Sequence, residues 1–301
     1  MKSLFIIGNG FDLSHGLETK YEDFHKYLQT QYQDANGETF IQPEVSMMPK
    51  GGEECDDTSA VSFLMRIISA TSGDEWNDIE TTLGILDFGE WLAIDYKSEE
   101  DNPWNIVRRN EDIALNLKVA ALKISEYFSD WINTIEINKK VTIKRDFANL
   151  IDKDNDLFLS FNYTKTLEIL YRAKAVCHIH GKQGENLLFG HGNDKDDYEE
   201  NMAKYMGAEH ILQEIHDSLR KNTANAIIKN RKFFDSISHV GKIYSYGFSF
   251  SDVDKIYIEQ ICKQLSSSKV TWYLNRRDSS YQRTIRACGY KGEFSTYLIE
   301  K

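Results

Sequence analysis

The feature that most constrains the fold is a series of short apolar runs separated by long segments with a helical pattern. Five runs of strand length occur along the chain: Leu4–Ile7, Leu157–Phe161, Val176–Ile179, Lys242–Tyr246 and Val270–Leu274. Their residues are largely apolar instead of alternating with polar ones, which is typical of strands in a parallel sheet that is covered on both faces. Strands that alternate with helices predict an α/β fold, a Rossmann-like, doubly wound and mainly parallel sheet.

Two long insertions between these runs are predicted to be helical. In the first, apolar residues recur at helical spacing: Ile113, Leu117, Ala121, Ile124, Phe128 and Trp131. In the second, from about Tyr198 to Phe234, the residues Ile211, Ile215 and Leu219 lie four apart. Both spacings place the apolar residues on one face of a helix, as in an amphipathic helix that packs against a core.

The domain organisation follows from the positions of these insertions. We predict one α/β domain over residues 1–301, with a nucleotide-binding core at about 1–25, 151–197 and 236–301 and large helical insertions at about 26–150 and 198–235. The segment Gln42–Ser59 contains two prolines and the pair Gly51-Gly52, which predicts a surface loop. A helix after Asp252 is predicted to end at Ser266–Ser268.

Charge and cysteine content limit the classes of partner and compartment. The chain has 36 Lys and Arg against 47 Asp and Glu, a net charge of −11. Because binding to phosphate backbones needs clustered basic residues, nucleic acid is not an expected partner. No apolar run approaches about 18 residues and no signal peptide is recognised, so no membrane partner is expected either. The four cysteines are dispersed without a CxxC pair, which indicates reduced thiols in a cytoplasmic protein.

The first apolar run ends in a glycine turn. Leu4–Ile7 leads directly into Gly8-Asn9-Gly10, followed by Phe11 and Asp12. Such a turn lets the backbone approach a ligand closely, and the amides at the start of the next helix can face a phosphate. The strict dinucleotide fingerprint would need a third glycine where Leu13 stands. A nucleotide-phosphate turn and a tight strand-to-helix turn without a ligand therefore both remain open.

Four more segments with polar or glycine residues follow predicted strands: Phe161–Thr164, His178–Gly181, Tyr246–Asp254 and Leu274–Arg277. The carboxyl ends of the strands are where a doubly wound sheet gathers its ligand. Each segment alone is also explained as a turn or a helix cap. Their joint order favours a shared site.

That order resembles the AbiH family of phage abortive-infection proteins. The resemblance is carried by Gly8–Phe24, by a Trp-x-x-x-Glu element at Trp76 and Glu80, and by the blocks Phe161–Glu168, His178–Gly181 and Gly247–Asp252. More distantly, the series is similar to the sirtuin-like NAD-binding fold. The matching positions there are Gly8 and Gly10, Asn162, His180-Gly181, Gly247 with Ser249, and Asn275.

The resemblance implies an antiphage protein that binds NAD(P) as its substrate and hydrolyses the nicotinamide glycosidic bond. The zinc-module cysteines of sirtuins are missing, which speaks against a protein deacylase, and Thr164 stands where an aspartate is common. The alternative is a nucleotide-sensing or partner-binding module of a phage-defence system without catalysis. A homo-oligomer or a phage-derived trigger would be the further partner, and no metal is expected.

Site residues are carried over to the matching positions. Asn162 is the expected catalytic amide, which orients a water or a ribose hydroxyl, and His180 is the expected base, with a structural role as its alternative. The expected nucleotide-binding residues are Gly8, Asn9, Gly10, Phe11, Asp12, Tyr163, Thr164, Gly181, Gly247, Ser249, Asp252 and Asn275. His191, between two glycines, is expected in an exposed loop, and a contribution of this residue to the site is left open.

Overall fold

The computed structural model describes residues 2–49, 51–74, 76–93, 102–138, 140–265 and 269–299. These residues form two compact units. Unit 1 comprises the described residues of Met1–Lys20, Ile132–Leu188 and Asn222–Lys301, and unit 2 those of Tyr21–Trp131 and Phe189–Lys221. The prediction that the chain folds as a single domain stays a prediction.

The described residues form the following elements. The strands are β1 (Lys2–Ile7), β2 (Val45–Met47), β3 (Glu53–Cys55), β4 (Leu157–Ser160), β5 (Val176–His178), β6 (Val240–Tyr246), β7 (Thr271–Asn275) and β8 (Glu293–Tyr297). The helices are α1 (Asn9–Ser14), α2 (Tyr21–Gln31), α3 (Asp57–Ser72), α4 (Ile79–Leu83), α5 (Gly89–Leu92), α6 (Pro103–Leu122), α7 (Ile124–Thr134), α8 (Arg145–Leu150), α9 (Thr166–Tyr171), α10 (Tyr198–Lys204), α11 (Glu209–Leu219), α12 (Thr223–Lys229), α13 (Arg231–Ser236), α14 (Lys255–Gln264) and α15 (Gln282–Ala287).

The central sheet of unit 1 is parallel throughout its described strands. Its order is β5-β4-β1-β6-β7-β8, and each neighbouring pair runs in the same direction. The chain moves from β1 outward through β4 to β5 on one side, then crosses to β6 and moves outward through β7 to β8. This is the doubly wound topology, so the predicted fold class is confirmed.

Both faces of this sheet are buried, as the apolar runs predicted. Along β1, Leu4 and Ile6 belong to one apolar cluster, whereas Phe5 and Ile7 belong to another. Successive side chains of a strand point to opposite faces, so the two clusters are the two covered faces. Phe5 stacks on Phe158 of β4 and on Tyr244 of β6, with ring centroids 5.3 and 4.9 Å apart. These cross-strand aromatic pairs help to fix the register of β1 between its neighbours.

Some elements differ from those that the sequence predicts. Strand β8 lies at the sheet edge and has the sequence EFSTY, which contains no apolar run. The surface-loop prediction for Gln42–Ser59 was wrong, because this segment contains β2 and β3, which pair antiparallel. It also contains the start of α3, where the Asp56 side chain accepts a hydrogen bond from the Ser59 amide. Strands of three residues are too short to give a recognisable alternation.

The helical predictions agree with the described elements. The apolar series from Ile113 to Trp131 is buried, but it lies on two helices, α6 and α7, that meet at Lys123. Ile211, Ile215 and Leu219 are buried on α11. The predicted helix end at Ser266–Ser268 lies outside the described residues. Among the helices that the structure describes, none is both long and apolar enough to span a bilayer.

Candidate functional site

The candidate site of unit 1 lies at the carboxyl ends of the parallel strands. The order of the strands reverses between β1 and β6, because the connections after these two strands lead to opposite sides of the sheet. Ligands of doubly wound folds bind outside the carboxyl ends at such a reversal. The segments that follow β1, β4, β5 and β6 therefore decide what this site can do.

The glycines after β1 pack directly against the glycine after β6. The Gly10 amide donates to the Gly247 carbonyl over 2.9 Å. A Cβ on Gly8 would lie 2.5 Å from the Gly247 carbonyl oxygen, and one on Gly247 would lie 2.5 Å from the Cα of Gly10. Gly247 also has a positive φ of 63°, which favours glycine. Close packing of two turns thus explains all three glycines without a ligand, and it occupies the Gly10 amide.

Two neighbours of these glycines also have structural partners. Asn9 Nδ2 donates to the Thr19 carbonyl over 2.8 Å, and its Oδ1 accepts from the Thr19 hydroxyl over 2.6 Å. Phe11 is fully buried, with ring centroids 5.1 Å from Phe147 and 5.3 Å from Tyr246. Asn9 fixes the chain that returns from α1, and Phe11 anchors the turn to the core.

Asp12 is a buried carboxylate that follows the glycine turn. Its exposed fraction is 1%, and its Oδ2 accepts a hydrogen bond from the Thr164 hydroxyl over 2.6 Å. The Thr166 hydroxyl lies 2.9 Å from that of Thr164 and donates to it, because the Thr164 proton is used on Asp12. Burial raises the pKa of Asp12 to about 6, against the lowering effect of Thr164, Thr166 and Asn162. Such a carboxyl exchanges a proton near neutral pH.

Asn162 places an amide beside this carboxylate. Its side chain is buried and close enough to Asp12 to favour the charged form of that carboxyl. Among the described residues, however, neither Oδ1 nor Nδ2 of Asn162 has a hydrogen-bond partner of ordinary geometry, and Oδ1 of Asp12 has none either. An unpartnered buried polar group costs about 1–3 kcal/mol. Three such atoms in neighbouring side chains are typical of a site that is completed by a ligand or water.

His178 holds the backbone of Asn162 in place. Its Nδ1 lies 3.0 Å from the Asn162 carbonyl, and its Nε2 lies 2.9 Å from Oε1 of Glu168. Burial opposes ionisation of Glu168, but the hydrogen bond and charge of His178 outweigh this effect and lower the pKa of Glu168. With both ring nitrogens facing oxygen atoms, His178 is a positioning residue.

His180 is buried two residues beyond the end of β5 and has a different environment. Its Nε2 lies 3.3 Å from Oδ1 of Asp254, without the geometry of a hydrogen bond. Oδ2 of Asp254 accepts from the Ser251 hydroxyl over 3.1 Å. The imidazole lies among aromatic rings, with centroids 5.4 Å from Phe161 and 5.5 Å from Tyr257. A carboxylate so placed stabilises the positive charge that the ring gains when it accepts a proton.

The remaining predicted ligand residues are dispersed along the same edge. The Tyr163 hydroxyl donates to the Leu188 carbonyl over 3.0 Å, and Gly181 has a φ of 82° in the turn after β5. Ser249 is exposed, and Asp252 is exposed and ion-paired with Lys255. Asn275 ends β7, three strands away from β4, which corresponds to about 14 Å. The structure thus brings Asp12, Asn162 and Thr164 together and leaves Asn275 apart, and the predicted roles stay predictions.

Unit 2 contains the other residues that the sequence singled out. The expectation of an exposed loop at His191 was wrong, because its imidazole is buried and lies 2.9 Å from the His216 carbonyl. Burial lowers the pKa of His191 to about 4. Glu80 of the Trp-x-x-x-Glu element forms an ion pair of 2.7 Å with Lys221, whose side chain is 1% exposed. Among the residues that the structure describes, no group of three or more His, Cys, Asp or Glu is arranged to hold a metal ion.

The sequence signals were incomplete in two places. Asp254 lies in the predicted Tyr246–Asp254 segment, but Asp252 was chosen there, and only the fold shows which carboxylate faces His180. Thr166 was recognised only as part of a helix start, whereas it supports the contact between Thr164 and Asp12. Both contacts join residues that no local spacing rule connects.

Comparison with known proteins gives one result. The family model described as "Bacteriophage abortive infection AbiH" matches residues 4–276 of the 301. The matched range includes all the predicted site residues. No curated protein and no solved structure matches the chain.

Proposed function

Because the chain belongs to the AbiH family of bacteriophage abortive infection proteins, we propose that its unit 1 binds NAD(P) and hydrolyses the nicotinamide–ribose bond during phage defence. Family membership supports the role in abortive infection, and the chemistry is the proposal. The observations that carry it are the buried Asp12 beside Asn162 and the buried His180, which lie on segments that follow β1, β4 and β5 at the carboxyl edge of the sheet. Each of these side chains has a buried polar atom without a hydrogen-bond partner among the described residues.

Cleavage of the nicotinamide–ribose bond requires a site that holds the ribose in place and activates one water molecule. The Asn162 amide can both donate and accept, so it can orient a ribose hydroxyl or the water. Asp12, with its pKa of about 6, is mostly ionised at neutral pH. Its carboxylate can therefore accept a hydrogen bond from the ribose hydroxyl or the water that Asn162 orients. Water attacks the anomeric carbon as neutral nicotinamide leaves, and His180 takes the proton of the water while Asp254 stabilises the imidazolium.

Thr164, which stands where an aspartate is common, favours the alternative of nucleotide sensing without turnover. The glycine turn supports neither activity. The Gly10 amide is already hydrogen-bonded to Gly247, so it is not available to a diphosphate. The glycine turn therefore does not support catalysis on a dinucleotide, and the proposal rests on the buried polar group alone. A module that binds a nucleotide without cleaving it would use Asp12 and Asn162 in the same way but would not need His180.

Nicotinamide release from NAD and from NADP by the purified protein, with and without a phage lysate, tests the proposal. We expect release by the wild type and a loss of about 100-fold or more in Asp12→Asn, Asn162→Ala and His180→Ala. The matched control is Asp235→Asn, an exposed carboxylate of unit 1 that should leave the rate unchanged. Binding without release would support the sensing alternative. Wild-type rates in all three variants would refute the assignment of the site.

A further inference from the structure

The imidazole of His178 has an oxygen atom opposite each of its two nitrogens. Nδ1 lies 3.0 Å from the Asn162 carbonyl oxygen and Nε2 lies 2.9 Å from Oε1 of Glu168, and the side chain is 4% exposed. We infer that His178 carries both ring protons in the folded protein, and that its positive charge is the electrostatic partner of the Asp12 carboxylate. The meaning of this charge for catalysis rests on the proposed function, whereas the charge itself is tested without a nucleotide.

The two contacts decide where the protons lie. A backbone carbonyl only accepts, so Nδ1 has to donate to Asn162 and carries a proton. The contact between Nε2 and Oε1 of Glu168 needs a proton as well, because two lone pairs would otherwise face each other. A free imidazole binds a proton more tightly than a free carboxylate. Burial opposes ionisation of Glu168, but its own backbone amide and the charge of Lys182 favour the carboxylate, so the proton belongs on Nε2.

The charged groups around His178 favour a positive charge on its ring. Glu168 of α9 forms the direct ion pair, and Asp12 of α1 is close enough for its charge to act on His178. Lys182, in the turn after β5, is a cation and opposes a second positive charge. Its ammonium group lies 3.7 Å from Oε1 of Glu185, which offsets part of this repulsion. Two carboxylates therefore act on His178 against one lysine that has a carboxylate of its own.

The charge of His178 acts on the carboxyl group of the candidate site. Burial raises the pKa of Asp12 to about 6, and the charge of His178 lowers it together with hydrogen bonds from neighbouring side chains. Under the proposed function, ionised Asp12 accepts a hydrogen bond from the ribose hydroxyl or the water. His178 is then a positioning residue that keeps Asp12 ionised at a lower pH than burial alone would allow.

Ring-nitrogen resonances of the full chain, labelled with 15N-histidine and measured at about pH 7.5, show which nitrogens carry a proton. An imidazolium has two protonated nitrogens, whereas a neutral ring has one of each kind. The His178 signals are identified by their absence in His178→Gln. We expect the imidazolium pattern in the wild type and a neutral ring in Glu168→Gln, whose amide can donate to Nε2. A neutral His178 in the wild type overturns the inference. If the variants fail to fold, a wild-type spectrum in which none of the eight histidines is an imidazolium overturns it as well.

The titration of Asp12 separates an electrostatic role of His178 from a merely structural one. In protein labelled with 13C-aspartate, the Asp12 carboxyl signal is identified by its absence in Asp12→Asn. We expect the pKa of Asp12 to rise by about 0.5 unit in His178→Gln, because the variant has lost the nearby charge. The matched control is His239→Gln, an exposed histidine of unit 1, which should leave this pKa unchanged. An unchanged or lower pKa of Asp12 in His178→Gln overturns the pairing with Asp12.

Neither measurement uses a nucleotide, so both stand even if the protein releases no nicotinamide. If the protein does release nicotinamide, the acidic limb of its pH–rate profile should move to higher pH in His178→Gln, in parallel with the pKa of Asp12. A protein with a charged His178 but no release would refute the proposed function and leave this inference in place.

Discussion

Replacement of Asp12 by Asn should stabilise the protein, and increasingly so as the pH rises. The pKa of Asp12 is raised from 3.8 to about 6 by burial. A shift of about 2 units corresponds to about 3 kcal/mol between the protonated and ionised forms. Because the folded-state pKa is the higher one, the stability that the protonated carboxyl contributes is fully present below pH 3.8 and is lost as the pH rises through about 6. The amide side chain of the Asp12→Asn variant would have no such titration and could still accept the hydrogen bond from Thr164.

Urea unfolding at several pH values, followed by circular dichroism, measures this effect. Between about pH 5 and pH 7.5, the unfolding free energy of Asp12→Asn relative to the wild type should rise by about 1.4 kcal/mol, the part of the total that falls in this window. Asp235→Asn, at an exposed site, should show a constant difference. If the unfolding free energy of Asp12→Asn relative to the wild type stays constant or falls as the pH rises, the argument that burial raises the pKa of Asp12 is refuted.

Three further substitutions test the packing and the polar groups. Asn162→Leu should change the melting temperature little, because it removes unpartnered polar atoms that cost about 1–3 kcal/mol each but also removes an amide that stabilises the charged form of Asp12. Gly247→Ala should cost about 3 kcal/mol or more by chemical denaturation, because its Cβ would meet backbone at 2.5 Å, whereas Gly184→Ala, with a similar positive φ but open space, should cost only about 1 kcal/mol. Lys221→Met should cost about 3–5 kcal/mol in the same assay by leaving Glu80 without its buried partner, and a second change of Glu80→Gln should recover part of this loss.

The sheet could be predicted well from the sequence because strands that are buried on both faces consist largely of apolar residues. The runs at Leu4–Ile7 and Leu157–Phe161 are largely apolar because their apolar side chains pack in the clusters on the two covered faces. The edge strand β8 has no such apolar run, because it pairs on one side only and contains polar residues such as Glu293 and Ser295. Three-residue strands such as β2 are likewise below what periodicity can resolve.

The site could be predicted only in outline. The segments after β1 and β4 were recognised, yet the sequence could not show that the glycine turn packs against Gly247 instead of facing an open crevice. Nor could the sequence show what role Thr164 has at the position where an aspartate is common. The structure places the Thr164 hydroxyl 2.6 Å from Asp12, so a second carboxylate there would have to share a proton with the first. Thr164 supplies a donor, and the acidic group of the site is Asp12.

If Asp12, Asn162 and His180 form a site for NAD(P), calorimetry should detect NAD binding to the wild type and not to Asn162→Leu. We expect binding or turnover heat in the wild type and its loss in Asn162→Leu, a variant expected to be as stable as the wild type. Equal heats from both proteins would show that the nucleotide binds elsewhere, and the absence of heat from the wild type with either NAD or NADP would contradict the claim itself.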